Sequence, residues 1–227
     1  MIIIIVGGYF TCQGYDLYKR ALNEISVDDK VKQIKSEKDN YTKIEDLPQN
    51  YINAVIAVED RRFYSHNGVD LISITRAILR DIKEMKLVEG GSTITQQLAK
   101  NIYFTQRKEL TRKVAEIFMA FEIEKKCTKD EIFELYVNTS YFGDGYYCVG
   151  DASEGYFDKN PIDMNLYECT LLAGIPNAPS VYAPTKNPEL AKQRQAQVLK
   201  KMVNYKYLTQ EQANDVLSEE EEIKWKK

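Results

Sequence analysis

A glutamate at the edge of an apolar segment is the first residue whose type and place could do chemistry. Residues 51–58 are mostly apolar, and the run ends in Glu59 and Asp60, followed by two arginines. Partial burial at such an edge raises the pKa of a carboxyl group, which suits a general base. A helix that simply ends in a charged loop has the same pattern, so both interpretations stay open at this point.

Polar donors and cations are concentrated further along, in residues 90–113. Residues 90–101 read GGSTITQQLAKN, and the free N–H groups of such a helix start bind anions. Within 14 residues, with Glu109 as the only acid among them, lie Lys100, Arg107, Lys108, Arg112 and Lys113. Two helices meeting here would form a cationic pocket suited to a phosphate or pyrophosphate group. The alternative is a capped helix beside a surface salt-bridge face, which contributes little.

The elements that must position these residues are predicted to be helices. Segment 108–126 has helical spacing, with a predicted core stripe of Leu110, Val114, Ile117, Phe118 and Phe121. Arg112, Lys113 and Glu116 lie on the opposite face of this helix, at spacings that allow ion pairs. Capping boxes predict further helix starts at Thr93 with Gln96, Thr128 with Glu131, and Thr209 with Gln212. Asn187 before Pro188 predicts another.

Composition excludes several function classes. The chain of 227 residues has 31 basic and 34 acidic residues, a net charge of −3, without the basic excess of a nucleic-acid binder. Its hydrophobic content of 44% excludes general disorder, and its length fits one domain or one domain in two lobes. The four cysteines and the single histidine lack the spacing of a zinc cluster, so four unpaired thiols are expected. Neither a G-x-S-x-G elbow nor a complete G-x-G-x-x-G fingerprint is present.

Five sequence blocks between about residues 45 and 215 carry a family resemblance. They are 59–63 with His66 and Gly68, 91–97 with Lys100 and Asn101, Arg112 and Lys113 with Glu116, 129–138, and Arg194 with Val198 and Leu199. In this order they resemble the peptidoglycan glycosyltransferases, the glycan-polymerising domains of class A penicillin-binding proteins and the monofunctional transglycosylases. One departure is Gln195, which stands where the family usually has a second arginine.

The resemblance implies a mainly α, lysozyme-like fold with a large lobe and a smaller membrane-facing lobe. It implies polymerisation of lipid II into β-1,4-linked glycan strands, with inversion and release of polyprenyl pyrophosphate. A divalent cation, Mg or Mn, is expected to assist. The expected partners are lipid II, the growing glycan strand, the membrane and other cell-wall synthesis proteins, with no nucleic acid. The expected location is the extracytoplasmic face of the bacterial cell membrane.

By position, the resemblance implies a role for each matched residue. Glu59 deprotonates the acceptor hydroxyl, and Glu116 is the second carboxylate, which orients cations or helps to hold the metal. The residues implied to bind substrate are Asp60, Ser92, Thr93, Gln96, Gln97, Lys100, Asn101, Lys108, Arg112 and Lys113, with Arg107 as an alternative to Lys108. Those implied to be structural are His66, Asn138 and Arg194.

The domain organisation is predicted from composition and from the extent of the resemblance. Residues 1–10, MIIIIVGGYF, are apolar and uncharged, too short for a membrane span of ~20 residues, and lack the basic start of a signal peptide. We expect the outer end of an N-terminal anchor over 1–14, with a buried strand as the alternative. A juxtamembrane helix and connector over 15–44, the glycosyltransferase domain over 45–218 and a solvated tail over 219–227 complete the prediction.

Two other functions are compatible with a helical fold and a catalytic glutamate. A lysozyme-like or lytic glycan-cleaving enzyme has no pyrophosphate in its substrate and would leave the cations at 100–113 without a role. An inactive membrane-anchored scaffold of cell-wall synthesis would be favoured by the loss of Glu59 or Glu116, and both are present. The sequence is equally compatible with a monofunctional enzyme and with part of a bifunctional one.

Overall fold

The protein is built from helices in all the parts that the computed structural model describes, which are residues 2–76, 91–104 and 110–218. The α-helices are α1 Ile2–Glu24, α2 Val27–Glu37, α3 Gln49–Glu59, α4 Ile94–Tyr103, α5 Leu110–Lys126, α6 Lys129–Thr139, α7 Val149–Phe157, α8 Leu166–Gly174, α9 Pro179–Tyr182, α10 Pro188–Asn204 and α11 Gln210–Ser218. Residues 71–76 are helical as well. Short 3₁₀ turns occupy Ile44–Asp46, Phe63–Ser65, Pro161–Asp163 and Ile175–Asn177. The predicted mainly α class is confirmed.

The chain divides into two compact units. Unit 1 comprises the described parts of Met1–Lys38 and Arg62–Tyr136, and unit 2 those of Asp39–Arg61 and Val137–Lys227. The predicted solvated tail, residues 219–227, lies outside the described residues. Which part of the protein faces a membrane stays a prediction.

Unit 1 is organised around α5, against which α1, α2 and α4 pack. The predicted core stripe of α5 is wrong in part, because Leu110 and Phe121 are exposed. The buried side chains of this helix are Ala115, Glu116, Met119, Ala120 and Ile123. Hydropathy alone predicts that large apolar residues form the buried face. Close packing of helices also needs small residues, and the two alanines of α5 allow that close approach.

The first helix crosses the predicted anchor boundary at residue 14 without a break. Its residues Tyr15 and Tyr18 pack their rings on Phe118 of α5, at centroid distances of 5.2 and 5.8 Å. Within the described ranges, none of the helices has the length and apolar character that a membrane crossing requires.

Unit 2 is built on three mutually packed helices, α3, α8 and α10. Seven of the eight residues from Tyr51 to Val58 of α3 are buried, because this helix is apolar on nearly every side. Helix α7 packs on α8, and both α9 and α11 pack on α10. The unit thus places the end of α3, and with it Glu59, on a buried helical core.

The predicted helix starts agree with the structure. Thr93 and Gln96 form a complete capping box at α4. The pairs Thr128–Glu131 and Thr209–Gln212 exchange the same reciprocal hydrogen bonds. Pro188 occupies the first position of α10, although the Asn187 side chain makes no capping hydrogen bond.

Candidate active site

A buried carboxylate held between two cations forms the centre of the candidate site in unit 1. Glu116 is 2% exposed, and its Oε1 accepts from Arg112 at 2.5 Å while its Oε2 accepts from Lys113 at 3.0 Å. The three groups therefore carry a net charge of +1. The Arg112 side chain is 14% exposed and that of Lys113 is 41% exposed, so Lys113 is the cation that an anion in solvent can reach.

The start of α4 lies beside this cation. The Lys113 ammonium donates to the Ser92 hydroxyl at 2.6 Å, one residue before the cap of α4. Thr93 and Gln96 are buried at 2% and 1% exposure, and they satisfy each other in the capping box. The start of α4 is buried, which explains why it has hydroxyl and amide side chains where a solvated helix has charged ones. Most of these side chains are hydrogen-bonded within the protein.

The other predicted contacts on α4 are half-buried. Gln97 accepts a long hydrogen bond of 3.4 Å from the Tyr136 hydroxyl. Lys100 and Asn101 lie on the following turn. Lys108, and Arg107 as its alternative, lie outside the described residues. Direct binding of substrate by any of these residues stays a prediction.

In unit 2 the candidate base, Glu59, is the last residue of α3 and is paired with an arginine. Its side chain is 8% exposed, and Arg194 of α10 donates to it at 3.4 Å. Arg194 is itself fixed by a hydrogen bond to the Gly174 carbonyl at 3.3 Å and lies over the Tyr182 ring. Asp60, next in the chain, is 6% exposed, and its amide caps α3 on the Ile56 carbonyl.

Two more predicted structural residues have defined surroundings. His66 lies edge-on to Phe63 of unit 1, at a centroid distance of 6.5 Å. Asn138 of unit 2 is fully buried and exchanges two hydrogen bonds with the Thr42 backbone, at 2.9 and 2.7 Å. These contacts tie the segment that precedes α3 to the end of α6.

The departure at Gln195 is accommodated by neutral partners. This side chain is 1% exposed and donates to the Tyr167 carbonyl at 2.9 Å and to the Thr170 hydroxyl at 3.1 Å. A buried amide satisfied by two neutral acceptors avoids the desolvation cost of a buried charge. All four cysteines are free thiols, as expected, and two of them are buried.

The residues around Glu116 do not form a ready site for a divalent cation. Both of its oxygens are occupied by Arg112 and Lys113. In the described part of the chain, no three His, Cys, Asp or Glu side chains are grouped so that they could hold a metal ion. The donor set thus fits neutralisation of an anion by side-chain cations.

Sequence reasoning missed one carboxylate of this region, Glu124. It lies on α5 and pairs with Lys129 of α6 at 2.7 Å. The two residues are separated by a helix break, so no i, i+4 pattern indicates the pair. Only the approach of the two helices brings them together.

Comparison with known proteins identifies the family of the chain. The family model described as "Transglycosylase" matches residues 27–203. The chain therefore belongs to the transglycosylase family, a class of glycosyltransferase enzymes, which confirms the resemblance seen in the five blocks.

The similar proteins share one printed name. The chain is 46% identical over 180 residues to penicillin-binding protein 1A of Neisseria gonorrhoeae, covering 79% of this chain and 23% of that protein. It is 44% identical over 203 residues to the Neisseria lactamica protein, covering 89% and 25%. For Aquifex aeolicus the identity is 43% over 178 residues, covering 78% and 24%. The chain thus spans about a quarter of the length of the curated relatives it matches.

A solved structure is also similar. The crystal structure of penicillin-binding protein 1A from Haemophilus influenzae matches with a TM-score of 0.48 at 24% identity, covering 79% of this chain and 17% of that one.

Proposed function

We propose that this chain is a peptidoglycan glycosyltransferase that polymerises lipid II into β-1,4-linked glycan strands and releases polyprenyl pyrophosphate. The observation that carries the proposal is the buried Glu116 between Arg112 and Lys113, with Lys113 reaching Ser92 at the start of α4. A site with net positive charge and one solvent-accessible ammonium suits a pyrophosphate leaving group.

Glu59 acts as the general base in this proposal. Arg194 pairs with its carboxylate and orients it at the end of α3. Glu59 takes the proton of the acceptor 4-hydroxyl while that oxygen attacks the anomeric carbon of the donor. The bond from this carbon to the pyrophosphate oxygen breaks, and its electron pair leaves with the polyprenyl pyrophosphate. Attack opposite to the leaving group converts the α linkage into a β linkage.

The cations of unit 1 take the place of a general acid. The departing pyrophosphate carries its negative charge away without needing a proton, so side-chain cations can stabilise it directly. Lys113 meets the phosphate, whereas Arg112 neutralises Glu116 and keeps it in place. Lys100 and Lys108 are further candidates for phosphate contact.

The proposal extends to location and partners. A lipid-linked substrate is met at a bilayer, and the apolar, uncharged start of the chain supports attachment to the extracytoplasmic face of the bacterial membrane. The growing glycan strand is then the donor and lipid II the acceptor. Contact with other cell-wall synthesis proteins belongs to the same proposal.

Replacement of Glu59 tests the assignment of the base. We expect the purified protein to polymerise lipid II in detergent, and Glu59→Gln to lower the rate by about two to four orders of magnitude, since the base is lost. Binding of lipid II should be largely retained. Gel separation of labelled strands measures the product, and Glu45→Gln, at a carboxylate 71% exposed, is the matched control.

The same assay separates the alternatives. Wild-type rates in Glu59→Gln would contradict the base assignment. Shortening of preformed strands would instead support a glycan-cleaving enzyme, and no reaction with either substrate would support a scaffold. Assays with magnesium, with manganese and with a chelator test the expected assistance by a divalent cation.

A further inference from the structure

A nearly buried carboxylate outside the mechanism, Glu124 of α5, gathers three segments of unit 1 onto one oxygen. Its side chain is 8% exposed. Its Oε1 accepts from the Gly68 amide at 2.9 Å, the Thr95 hydroxyl at 2.6 Å and the Lys129 ammonium at 2.7 Å. Three donors converging on one ionised acceptor make strong, charge-assisted hydrogen bonds.

These contacts extend to the phosphate-binding cation. Thr95 lies in the first turn of α4, and the neighbouring Thr93 hydroxyl donates to the Gly68 carbonyl at 2.6 Å. Glu124 thus holds the Gly68 amide directly and holds the first turn of α4 through Thr95. The cap of that turn, Thr93, bonds in addition to the Gly68 carbonyl. Ser92, directly before this cap, accepts from Lys113. The helix start beside Lys113 is therefore fixed by Glu124.

The Glu124–Lys129 pair also fixes the segment that follows Arg62. The Lys129 ammonium lies 4.5 Å from the centre of the Phe63 ring, and the next residue, Asp130, accepts from the Tyr64 hydroxyl at 2.9 Å. The close approach at Gly68 explains the glycine there, since its φ is +78° and a Cβ would lie 3.2 Å from the Ala120 backbone. The segment from Phe63 to Gly68 thus rests on α5 and the start of α6.

We propose that Glu124 is a positioning residue for glycosyl transfer, which sets the start of α4 and the Gly68 loop against the Lys113 cation. This inference rests on the proposed function for its kinetic consequence. The Glu124–Lys129 pair then affects substrate binding indirectly, through the start of α4 and Gly68. Neither residue contacts the lipid pyrophosphate itself.

Glu124→Gln tests the role by kinetics. The amide keeps the size of the side chain and one acceptor oxygen but loses the negative charge, so the hydrogen bonds from the three donors weaken and Lys129 loses its ion pair. We expect kcat/KM for lipid II, per folded molecule, to fall between about tenfold and a hundredfold, mainly through KM, because the phosphate contacts are displaced. Glu122→Gln on the same helix, which removes an ion pair with the 70% exposed Lys125, should leave kcat/KM unchanged.

Amide hydrogen exchange supplies a readout that does not depend on activity. Glu124→Gln should speed exchange at Gly68 and in residues 92–97 by more than in the other helices of unit 1, since only these backbone groups lose their support. A uniform increase over unit 1, with wild-type kcat/KM per folded molecule, would overturn the proposal in favour of a purely structural pair. If the wild-type protein has no polymerase activity but Glu124→Gln speeds exchange only at Gly68 and residues 92–97, the positioning role of Glu124 is retained and only the proposed function is overturned.

Two gentler variants keep the test decisive if Glu124→Gln does not fold. Thr95→Val removes one hydrogen bond without changing the shape of the side chain, and Lys129→Met removes the ammonium but retains Gly68 and Thr95 as donors. Both should speed exchange at residues 92–97 and raise KM for lipid II severalfold. Wild-type values for both would overturn the proposal.

Discussion

At the scale of single residues, the two cations that flank Glu116 have different surroundings and therefore different roles. Arg112 is largely buried, so its main contribution is to offset the desolvation cost of Glu116. Lys113 is considerably more exposed and also bonds to Ser92. One carboxylate between two cations gives the cluster a net charge of +1. The Lys113 ammonium is the more exposed of the two cations, so this charge is accessible from solvent there.

The exposed position of Lys113 gives a prediction for its removal. Lys113→Gln should raise KM for lipid II by about tenfold or more, since a charge-assisted contact to phosphate is lost. The thermal midpoint should change little, because Arg112 still neutralises Glu116. Steady-state polymerisation and a melting curve measure the two effects.

Lys125→Gln is the matched control for this variant. It removes a lysine of the same helix, 70% exposed, that pairs with Glu122. Equal effects of the two substitutions would contradict a specific phosphate contact and would indicate a general loss of positive charge.

At the scale of elements, the packing of α1 on α5 depends on a glycine. A Cβ at Gly14 would lie 2.5 Å from the Val114 Cβ and 2.9 Å from the Thr111 carbonyl oxygen. The two helices therefore approach closely at this point, as helices do where a small residue faces the partner. At Gly8, in the same helix, an added Cβ would meet no atom within 4 Å apart from those of its chain neighbours and of its own helix backbone.

Alanine at these two glycines should have opposite effects. Gly14→Ala should lower the free energy of unfolding by about 1–3 kcal/mol, because the added methyl overpacks the contact with α5. Gly8→Ala should be neutral or stabilising by up to about 1 kcal/mol, through helix propensity. Chemical denaturation in the same buffer measures both, and a destabilised Gly8→Ala with an unchanged Gly14→Ala would contradict the packing described for α1.

The helix starts were predictable from the sequence, and the buried faces were less so. Thr93 with Gln96 satisfies backbone groups within one turn, so local sequence is sufficient to predict it. The buried face of α5 depends on three other helices, and its exposed Phe121 and buried Glu116 reverse the order of hydropathy. Family blocks pointed to Lys113 and Glu116, whereas Glu124 required the fold, because its partners lie in three separate segments.

At the scale of the whole molecule, each unit contains an aspartate whose ionised form is stabilised by folding. Burial opposes ionisation of Asp144 in unit 2, but hydrogen bonds from Thr185 and Lys186 outweigh it and lower the pKa of this carboxyl. For Asp70 of unit 1, burial is likewise outweighed, by hydrogen bonds from Ser73 together with the charge of Arg62, and its pKa is lowered too. Both carboxylates therefore contribute stability that depends on pH.

Acid should weaken the protein through these carboxylates. Their folded pKa values lie below the unfolded value of about 3.9, so the stabilisation is complete above that value and is lost as the pH falls through the folded pKa. The thermal midpoint should drop steeply below about pH 4. Asp144→Asn should have a lower midpoint at pH 7 and a smaller further loss on acidification.

Calorimetry between pH 7 and pH 3 checks this expectation. Lys186→Gln, which removes the 2.9 Å ion pair with Asp144, should give an intermediate profile. A profile of Asp144→Asn that runs parallel to that of the wild type would contradict the assigned contribution of Asp144.

The order of segments within the two units has a consequence for synthesis on the ribosome. The described part of unit 1 is complete once residue 136 has emerged, whereas α3 of unit 2 packs on α8 and α10, which are made much later. Glu59 meets Arg194 across 135 residues of chain. Such distant contacts close slowly, because the loop entropy is lost before the contacts form. The nascent chain therefore carries the apolar α3 uncovered until α8 is made and only partly covered until α10 follows, and the candidate base cannot pair with Arg194 before then.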